Sequence, residues 1–443
     1  MMTTQLHPLK TLIQLQKQGI PAGIYSACSA NEYVLEACME RALATNTILL
    51  IESTSNQVNQ YGGYTNMKPV DFRQFVEAIA HKVKLPLSSL ILGGDHLGPL
   101  TWSHLPEQEA MKEAHELIRE YVLAGFTKIH LDTSMRLADD DSSAPLATEV
   151  IARRGAALAK TAEEAYQALK QTNPSALAPV YVVGSEVPIP GGAQEEEEGI
   201  QITTPDDFKQ TVHTFQEAFS AQQLKYAWER VIAVVVQPGV EFGDETIHEY
   251  HRSSAKKLTA AIHDMPVVFE GHSTDYQTMD DLKEMVEDGI AILKVGPGLT
   301  FALREGLFAL AHMEDALLAN TTAKRSHFID VLDQAMLNNP GNWKKHYHGD
   351  EKQIAFKRKY SYSDRCRYYL PEPSVQASLQ LLISNLRSYP IPLSLLSSYM
   401  PIQYTKVRNH VLDLDPVSLL KDRVNNCIDE YLYATRQELL NAK

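Results

Sequence analysis

Eight short apolar runs, separated by longer segments with helical periodicity, dominate the first 310 residues of the chain. The runs are AGIYSACS, TILLIES, SLILGGDH, TKIHLDTS, VYVVGSE, RVIAVVVQP, PVVFEGHS and IAILKVG. Consecutive apolar residues are typical of strands that are covered on both faces in a parallel sheet. A strand and a helix repeated eight times predict a (β/α)8 barrel, an α/β TIM barrel, over residues 1–320. A doubly wound open sheet is the alternative, and the even spacing of the runs favours the barrel.

The strand pattern stops near residue 320. Segments such as SLQLLISNL and VSLLKDRVNNCIDEYLYATRQELL have helical periodicity. They predict a helical C-terminal region, residues 321–443, that packs on the barrel. Within the barrel region, TTPDDFKQTV contains a helix start, because Thr204 suits the cap position and Pro205 suits the first turn.

Composition limits the partners and the compartment. The chain has 443 residues and a formal net charge of −14, which argues against a surface for nucleic acid or for an anionic membrane. No apolar run approaches the roughly 18 residues of a membrane span, and the polar start does not resemble a signal peptide. The cysteines have neither C-x-x-C nor disulfide-framework spacing. We therefore expect a soluble, cytoplasmic protein without nucleic-acid or membrane partners.

Polar residues stand at the end of nearly every predicted strand. They are Ser29, Glu52, Asp95, His96, Asp132, Glu186, Gln237, Glu270, His272 and Lys294. In a (β/α)8 barrel the carboxyl ends of the strands form the active face, so these side chains are expected to converge at one mouth. Loops are polar in general, but this alternative explains poorly so many acids and imidazoles together.

The stretch GGDHLGP, residues 93–99, places an acid beside an imidazole at the end of the third predicted strand. His96, Glu186 and His272 predict a divalent-metal site with two nitrogen ligands, one oxygen ligand and open positions. Asp95 is then the predicted proton-transfer group. A hydrogen-bonded core histidine is the alternative for any single imidazole.

Three further stretches suggest contacts with a substrate. KVGPGLTFALREG opens a helix whose backbone N–H groups suit a phosphate, although a tight turn that needs glycine is an equal alternative. It lacks the third glycine of a dinucleotide fingerprint, so neither a nicotinamide nor a flavin cofactor is expected. ESTSNQVNQYGGYT offers amides and hydroxyls to a sugar, or forms an ordinary polar loop. In YSYSDRCRYY, Arg365 and Arg367 either reach a phosphate over the mouth or pack a helix, and packing is favoured.

Long stretches of the chain resemble the GatZ/KbaZ family, the Z-type subunits of D-tagatose-1,6-bisphosphate aldolase. They are IESTSNQVNQYGGYT, ILGGDHLGP, AGFTKIHLDTSM, GSEVPIPGG, VVVQPGVEF, HSTDYQT, ILKVGPGLTFALRE and YSYSDRCRYY. The resemblance implies a (β/α)8 protein that accompanies a catalytic class II aldolase subunit. Related sequences act as metal-dependent C4 epimerases on tagatose-type ketoses, including tagatose 6-phosphate.

A more distant similarity to zinc-dependent class II aldolases implies roles for single residues. GGDH matches the Asp-His pair of the aldolases, GFTKIHLDTS a second strand and SEVPIPGG a third. By this match Asp95 is the proton-transfer acid, His96 a zinc ligand and Glu186 the metal-site glutamate.

The chain departs from the aldolase pattern at three positions. Gln237 stands in place of a histidine ligand, and Glu270 rather than His272 aligns with the histidine of the seventh strand. Gly296 replaces an asparagine. The resemblance therefore implies an altered zinc set, which leaves independent aldolase activity open.

These observations predict chemistry on a phosphorylated ketohexose that breaks and re-forms the C3–C4 bond, including C4 epimerisation of D-tagatose 6-phosphate to D-fructose 6-phosphate. The cofactor is a divalent metal, zinc or manganese, which stabilises the enediolate as a Lewis acid. The predicted catalytic residues are Asp95 for proton transfer and Asp132 or Glu270 as the acid/base of the opposite face. The predicted substrate- or phosphate-binding residues are Glu52, Asn56, Gln57, Ser273, Asp275, Lys294, Gly296 and Gly298.

A different class of function stays open beside this one. The chain is alternatively a non-catalytic subunit that stabilises and activates a separate class II tagatose-bisphosphate aldolase. A homo-oligomer is compatible with both functions.

Overall fold

The computed structural model describes residues 6–185, 200–263 and 265–441. Its strands are β1 (Ile24–Ala27), β2 (Leu49–Thr54), β3 (Leu90–Leu97), β4 (Lys128–Leu131), β5 (Val180–Val183), β6 (Val231–Val236), β7 (Glu241–Phe242), β8 (Ile247–His248), β9 (Val268–Gly271) and β10 (Ile290–Val295). All except the antiparallel pair β7 and β8 join in one closed parallel barrel, in which β10 pairs with β1. Each barrel strand lies in one of the eight predicted runs to within one residue, so the prediction of a (β/α)8 barrel is confirmed.

Helices surround the barrel and continue beyond it. They are α1 (Lys10–Lys17), α2 (Glu32–Thr45), α3 (Pro69–Val83), α4 (Glu107–Leu123), α5 (Thr148–Thr172), α6 (Pro205–Ala221), α7 (Lys225–Trp228), α8 (Arg252–Ala260), α9 (Met279–Glu287), α10 (Pro297–Leu318), α11 (Phe328–Asn338), α12 (Glu351–Tyr360), α13 (Pro373–Ser388), α14 (Leu393–Tyr399), α15 (Pro401–Arg408) and α16 (Pro416–Thr435). At the start of α6, Thr204 Oγ1 accepts the amide N–H of Asp207 at 3.2 Å, and Pro205 is the first residue. This helix therefore begins where the sequence predicts it.

The amino ends of the barrel strands enclose an aliphatic cluster. Its buried members are Leu9, Leu12, Ile24, Ile48, Leu50, Ile91, Val180, Val182, Ile232, Ala233, Val235, Val268, Ala291, Ile292 and Leu440. The segment that begins α1 supplies Leu9 and Leu12, and its His7 lies 3.1 Å from Thr127 Oγ1 just before β4. The N-terminal segment therefore closes the end of the barrel opposite the mouth.

The last long helix, α16, lies in the outer ring beside β1. It packs against α2, α9 and α10 as well as against β1. The Thr435 carbonyl accepts the N–H of Gly23 at 2.7 Å, and Tyr25 and Tyr431 have ring centroids 6.0 Å apart. The end of the chain thus covers the strand at which the barrel closes, while the division at residue 320 stays a prediction. None of the helices in the described ranges has the length and apolar character needed to cross a membrane.

Candidate functional site

A β-bulge turns two consecutive side chains of GGDHLGP into the mouth of the barrel. The pairing of β3 with β4 shifts register between Gly94 and Leu97, and His96 has a left-handed φ of 48°. Successive side chains of a regular strand point to opposite faces, whereas a bulge re-aims them. Asp95 and His96 are both buried, and His96 Nε2 lies 3.7 Å from Asp95 Oδ2.

Glycines on either side of this pair allow neighbouring strands to approach closely. A Cβ atom on Gly93 would lie 2.8 Å from Cγ of Glu52, and one on Gly98 would lie 1.7 Å from the carbonyl oxygen of Asp132. Real Cβ atoms do not tolerate such approaches. The glycines therefore let β2 and β4 bring their carboxylates close to the Asp-His pair.

Three buried imidazoles meet at this mouth. They belong to His96 on β3, His130 on β4 and His272 directly after β9. Their ring centroids are 5.2 Å apart for His96 and His130, 5.0 Å for His96 and His272, and 5.2 Å for His130 and His272. Around a tetrahedral ion with metal–nitrogen bonds of about 2.0–2.1 Å, imidazole centroids lie about 5 Å apart. The spacing of the three rings therefore fits one divalent metal ion.

Each imidazole has a carboxylate at one ring nitrogen. The pairs are Asp132 with His96 (2.7 Å), Asp95 with His130 (2.9 Å) and Glu270 with His272 (2.9 Å). Such carboxylates fix the tautomer and make the other ring nitrogen a better metal ligand. His130 Nε2 is buried and has no hydrogen-bond partner among the described residues, while its Nδ1 also lies 3.2 Å from the backbone N of His96. With the proton on Nδ1, Nε2 is available to an ion. A second donor set, Asp95, His130, Glu270 and His272, brings ligand atoms within 4.8 Å of one another, and His96 does not belong to it.

Two lysines bind the carboxylates from inside the barrel. Lys128 Nζ lies 2.6 Å from both Glu52 Oε1 and Glu270 Oε2, and all three side chains are fully buried. Lys294 Nζ pairs with Glu52 and lies 2.9 Å from Asp95 Oδ1. These ion pairs hold the carboxylates that in turn orient the imidazoles.

The cluster has more negative than positive charge. Its carboxylates are Glu52, Asp95, Asp132 and Glu270, and its ammonium groups are Lys128 and Lys294. Buried charges need compensation, and with neutral imidazoles this set lacks two positive charges. A divalent cation at the three rings would supply both, whereas protonation of His96 would supply one.

The pKa values of the cluster describe it without a bound ion. Although burial acts in the opposite direction, Asp95 and Asp132 raise the pKa of His96, which favours its charged form while no metal is bound. Although burial acts in the opposite direction, Lys294 and His96 hold the pKa of Asp95 well below its usual range. Burial also opposes the hydrogen bond from His96, which nevertheless lowers the pKa of Asp132 to about 2. For His272, burial lowers the pKa to about 4, so this imidazole is neutral at pH 7, as a metal ligand must be.

The cluster opens into a cavity of about 460 Å³, which is within the range of small-molecule sites. The predicted site residues in its wall are Asn56, Gln57, Asp95, His96, His272, Ser273, Asp275, Lys294 and Gly296. Glu52, Asp132, Glu270 and Gly298 are buried behind this wall. Glu186, the predicted oxygen ligand, lies outside the described residues.

The turn predicted to bind phosphate already holds a side chain. The N–H groups of Gly296 and Gly298 donate to Asp275 Oδ1 at 2.9 and 2.7 Å. Burial raises the pKa of Asp275 to about 6, although these two hydrogen bonds oppose the shift. Lys294, the other predicted phosphate contact, is paired with carboxylates. The N–H donors predicted for phosphate at the start of α10 are therefore occupied by the carboxylate of Asp275 in this structure.

Sequence reasoning missed Lys128 and His130, and a signal for both was present. In the run KIHLD, Lys128, His130 and Asp132 occupy alternate positions within an apolar strand. Side chains two residues apart lie on the same face of a strand, so these three point together into the barrel. Ionisable residues at period two inside an apolar run thus indicate a site in the barrel interior.

The two arginines of YSYSDRCRYY have different surroundings. Arg365 is buried and donates to the carbonyl of Asn342 at 3.0 Å, which is the favoured packing role. Arg367 stacks over the ring of Tyr368, with Cζ 4.4 Å from the centroid, and is part of the cavity wall.

Known proteins resemble this chain over most of its length. Residues 9–436 match the family described as D-tagatose-1,6-bisphosphate aldolase subunit GatZ/KbaZ-like. The D-tagatose-1,6-bisphosphate aldolase subunits GatZ of Klebsiella pneumoniae and Salmonella agona are each 45% identical to it. The alignments cover 97% and 96% of this chain and 100% and 98% of the two relatives.

A solved structure agrees in fold. The crystal structure of a probable tagatose 6 phosphate kinase from Sinorhizobium meliloti superposes with a TM-score of 0.84 at 42% identity. The match covers 93% of this chain and 100% of that one. With the family match and the curated relatives, it confirms the resemblance found in the sequence. The chain belongs to the D-tagatose-1,6-bisphosphate aldolase subunit GatZ/KbaZ-like family.

Proposed function

We propose that the chain acts on a phosphorylated ketohexose with a divalent metal, breaking and re-forming the C3–C4 bond. By this route it epimerises C4 of D-tagatose 6-phosphate and produces D-fructose 6-phosphate. The observation that carries the proposal is the triad of imidazoles beside Asp95, of which His96 and His272 line a sugar-sized cavity and His130 is buried behind its wall. The curated relatives, named for D-tagatose 1,6-bisphosphate, support the class of sugar.

His96, His130 and His272 would hold the metal, zinc or manganese. When bound, the metal polarises the C2 carbonyl of the ketose and stabilises the enediolate as a Lewis acid. Glu186 stays a predicted fourth ligand. His130 is added to the predicted set because its Nε2 atom is buried without a partner in the described part of the chain. This chemistry uses neither nicotinamide nor flavin.

Asp95 moves the proton in this proposal. C4 lies two carbons from the carbonyl, so its configuration is stable to simple deprotonation next to C2. Cleavage between C3 and C4 turns C4 into an aldehyde, and addition to its other face inverts the centre. Asp95 takes the C4 hydroxyl proton as the aldehyde forms and returns it on re-addition. Lys294 and His130, both 2.9 Å away, keep this carboxylate ionised and in place.

Asp132 and Glu270 support the imidazoles. Both were predicted to be acid/base groups on the opposite face, but they are buried and contact His96 and His272. We therefore assign them an orienting role. Lys128 fixes Glu270 from the other side, so the orientation of His272 depends on a three-residue chain of contacts.

Proton NMR tests the proposal with D-tagatose 6-phosphate, in the presence and absence of zinc or manganese. We expect D-fructose 6-phosphate to appear only with metal. His130→Ala should lose bound metal, measured by elemental analysis, together with product formation. His213→Ala removes an exposed imidazole of α6 and should keep both. Absence of turnover with either metal contradicts the epimerase function.

A partner role is the second candidate, and the word subunit in the names of the relatives favours it. In that role the chain stabilises and activates a separate class II aldolase without doing chemistry itself. D-tagatose 1,6-bisphosphate would then be cleaved only after the aldolase is added. Asp95→Asn would leave the activation unchanged, whereas the epimerase function requires this carboxylate.

A further inference from the structure

The cavity wall contains one cation that lacks an anionic partner. Its two permanently charged cationic residues are Lys294 and Arg367. Lys294 is paired with Glu52 and Asp95. Arg367 makes no ion pair within the described residues, and its side chain is half-buried. It therefore presents a positive charge to the cavity without a direct ion pair, although Asp275 and Asp364 act on it from a greater distance.

The hydrogen bonds of Arg367 all go to neutral groups. Nη1 donates to the backbone carbonyls of Ser363 and Asp364, the second at 2.9 Å, and Nη2 donates to the Tyr368 hydroxyl at 2.9 Å. The guanidinium also stacks over Tyr368, whose ring meets that of Tyr64 edge-on at 4.9 Å. These contacts fix the orientation of the guanidinium and leave its charge intact.

Two other buried arginines of this chain are neutralised by carboxylates, whereas buried Arg365 donates to the carbonyl of Asn342. Arg154 lies 2.7 Å from carboxylate oxygens of both Glu107 and Asp140, and Arg358 lies 2.7 Å from Asp333. Burial of a cation ordinarily requires such a partner. Within the described part of the chain, Arg367 thus combines partial burial, fixed geometry and a missing anion at the wall of a cavity.

We infer that Arg367 binds the phosphate of the substrate, so that the C-terminal helical region completes the site. A guanidinium offers a planar fork of donors that matches two phosphate oxygens. The N–H groups of Gly296 and Gly298 are occupied by Asp275, and Arg367 is the cation of the wall that stays available. The identity of the sugar in this inference rests on the proposed function.

Calorimetric binding to the full-length protein tests the inference. The ligands are D-tagatose 6-phosphate, D-tagatose and inorganic phosphate. Arg367→Gln should weaken binding of the sugar phosphate by about 10- to 100-fold, the range for loss of hydrogen bonds to a charged group. Binding of unphosphorylated D-tagatose should stay the same. Arg367→Lys keeps the charge without the fork and should give an intermediate affinity.

Arg365→Gln is the matched control. It removes one positive charge two residues away, from a side chain that packs against Asn342 rather than the cavity. This variant should bind the sugar phosphate as the wild type does, and thermal melting checks that each variant is folded. If Arg367→Gln does not fold, the inference is tested by Arg367→Lys alone, whose affinity for the sugar phosphate should be lower than that of the wild type.

Two results would overturn the inference. One is wild-type affinity for D-tagatose 6-phosphate in both Arg367 variants, and the other is absence of phosphate and sugar-phosphate binding to the wild type. The proposed function fails separately. Binding through Arg367 without metal-dependent turnover would remove the epimerase and keep the phosphate site. Metal-dependent turnover by the wild type, together with undiminished affinity in Arg367→Gln, would keep the epimerase and remove the phosphate site.

Discussion

The two halves of the barrel interior are built from the same strands and differ completely in chemistry. On three strands an aliphatic residue is followed two positions later by an ionisable one: Leu50 by Glu52 on β2, Val268 by Glu270 on β9 and Ile292 by Lys294 on β10. Because strand side chains alternate with period two, both members of each pair face the interior. The aliphatic members lie in the cluster at the closed end, and the ionisable members form the ion pairs at the mouth.

Two neighbouring inward-facing residues of one strand thus have different roles, one in stability and the other in chemistry. Burial of an aliphatic side chain contributes about 1.5–3 kcal/mol to folding, whereas a buried charge must first overcome its desolvation. The closed end is therefore expected to determine stability. The mouth is expected to determine activity, and its ion pairs offset the desolvation of its buried charges.

The largest expected effect is the loss of turnover in Asp95→Asn, at the mouth of the barrel. Loss of the proton-transfer carboxylate should lower the turnover of D-tagatose 6-phosphate by about 10²- to 10⁴-fold. The folded state favours the ionised form of Asp95, so the free energy of unfolding of the metal-free protein should also fall at neutral pH. NMR turnover and urea unfolding measure the two quantities. Undiminished turnover would show that the pair Asp95 and His96 only maintains the shape of the site.

Leu50→Ala tests the opposite half of the barrel. Truncation of this fully buried side chain should lower the free energy of unfolding by about 2–5 kcal/mol, through lost burial and the cavity that is left. Turnover per folded molecule should stay the same. Leu43→Ala, at a leucine of α2 that is 44% exposed, is the control and should be nearly neutral. A loss of turnover in folded Leu50→Ala would contradict the assignment of stability to the closed end and of activity to the mouth.

The smallest expected effect is the pH dependence of Asp275→Asn. Burial raises the pKa of Asp275 to about 6 in the folded protein, above its ordinary value of 3.8. The folded state therefore binds this proton more tightly, and the stability it contributes is lost as pH rises from about 4 through 6. Asparagine keeps the acceptor for Gly296 and Gly298 without the charge. The variant should be more stable than the wild type by about 1–3 kcal/mol at pH 7.5, and the difference should disappear toward pH 4.

Urea unfolding of both proteins between pH 4.5 and 8 measures this effect. A difference in stability that does not vary with pH would mean that the carboxyl group of Asp275 does not titrate within that interval. The side chain would then act only through its hydrogen bonds to α10.

The sequence predicted the barrel well because each strand is a continuous apolar run with a polar end. It also predicted Asp95, His96 and His272 at the mouth, since chemically active residues at strand ends share one face of such a barrel. His130 was missed because it lies inside its strand, where a single imidazole resembles a core residue.

Other features depend on contacts between distant segments. Glycine spacing at residues 296–298 indicated N–H donors at the start of a helix, but it did not indicate that Asp275, 21 residues earlier than Gly296, accepts from them. Likewise, a pattern of arginines and tyrosines cannot distinguish Arg365 from Arg367. Only the tertiary packing of the turn decides which of them reaches the cavity.

The position of α16 beside β1 has a consequence for biosynthesis. Tyr25 of β1 is made about 400 residues before Tyr431, which packs against it. At about 5–20 residues per second, roughly 20–80 s pass between the synthesis of the two partners. During that interval the outer face of β1 lacks the cover that α16 gives it in the folded protein. The strand at which the barrel closes is therefore covered long after it has been synthesised.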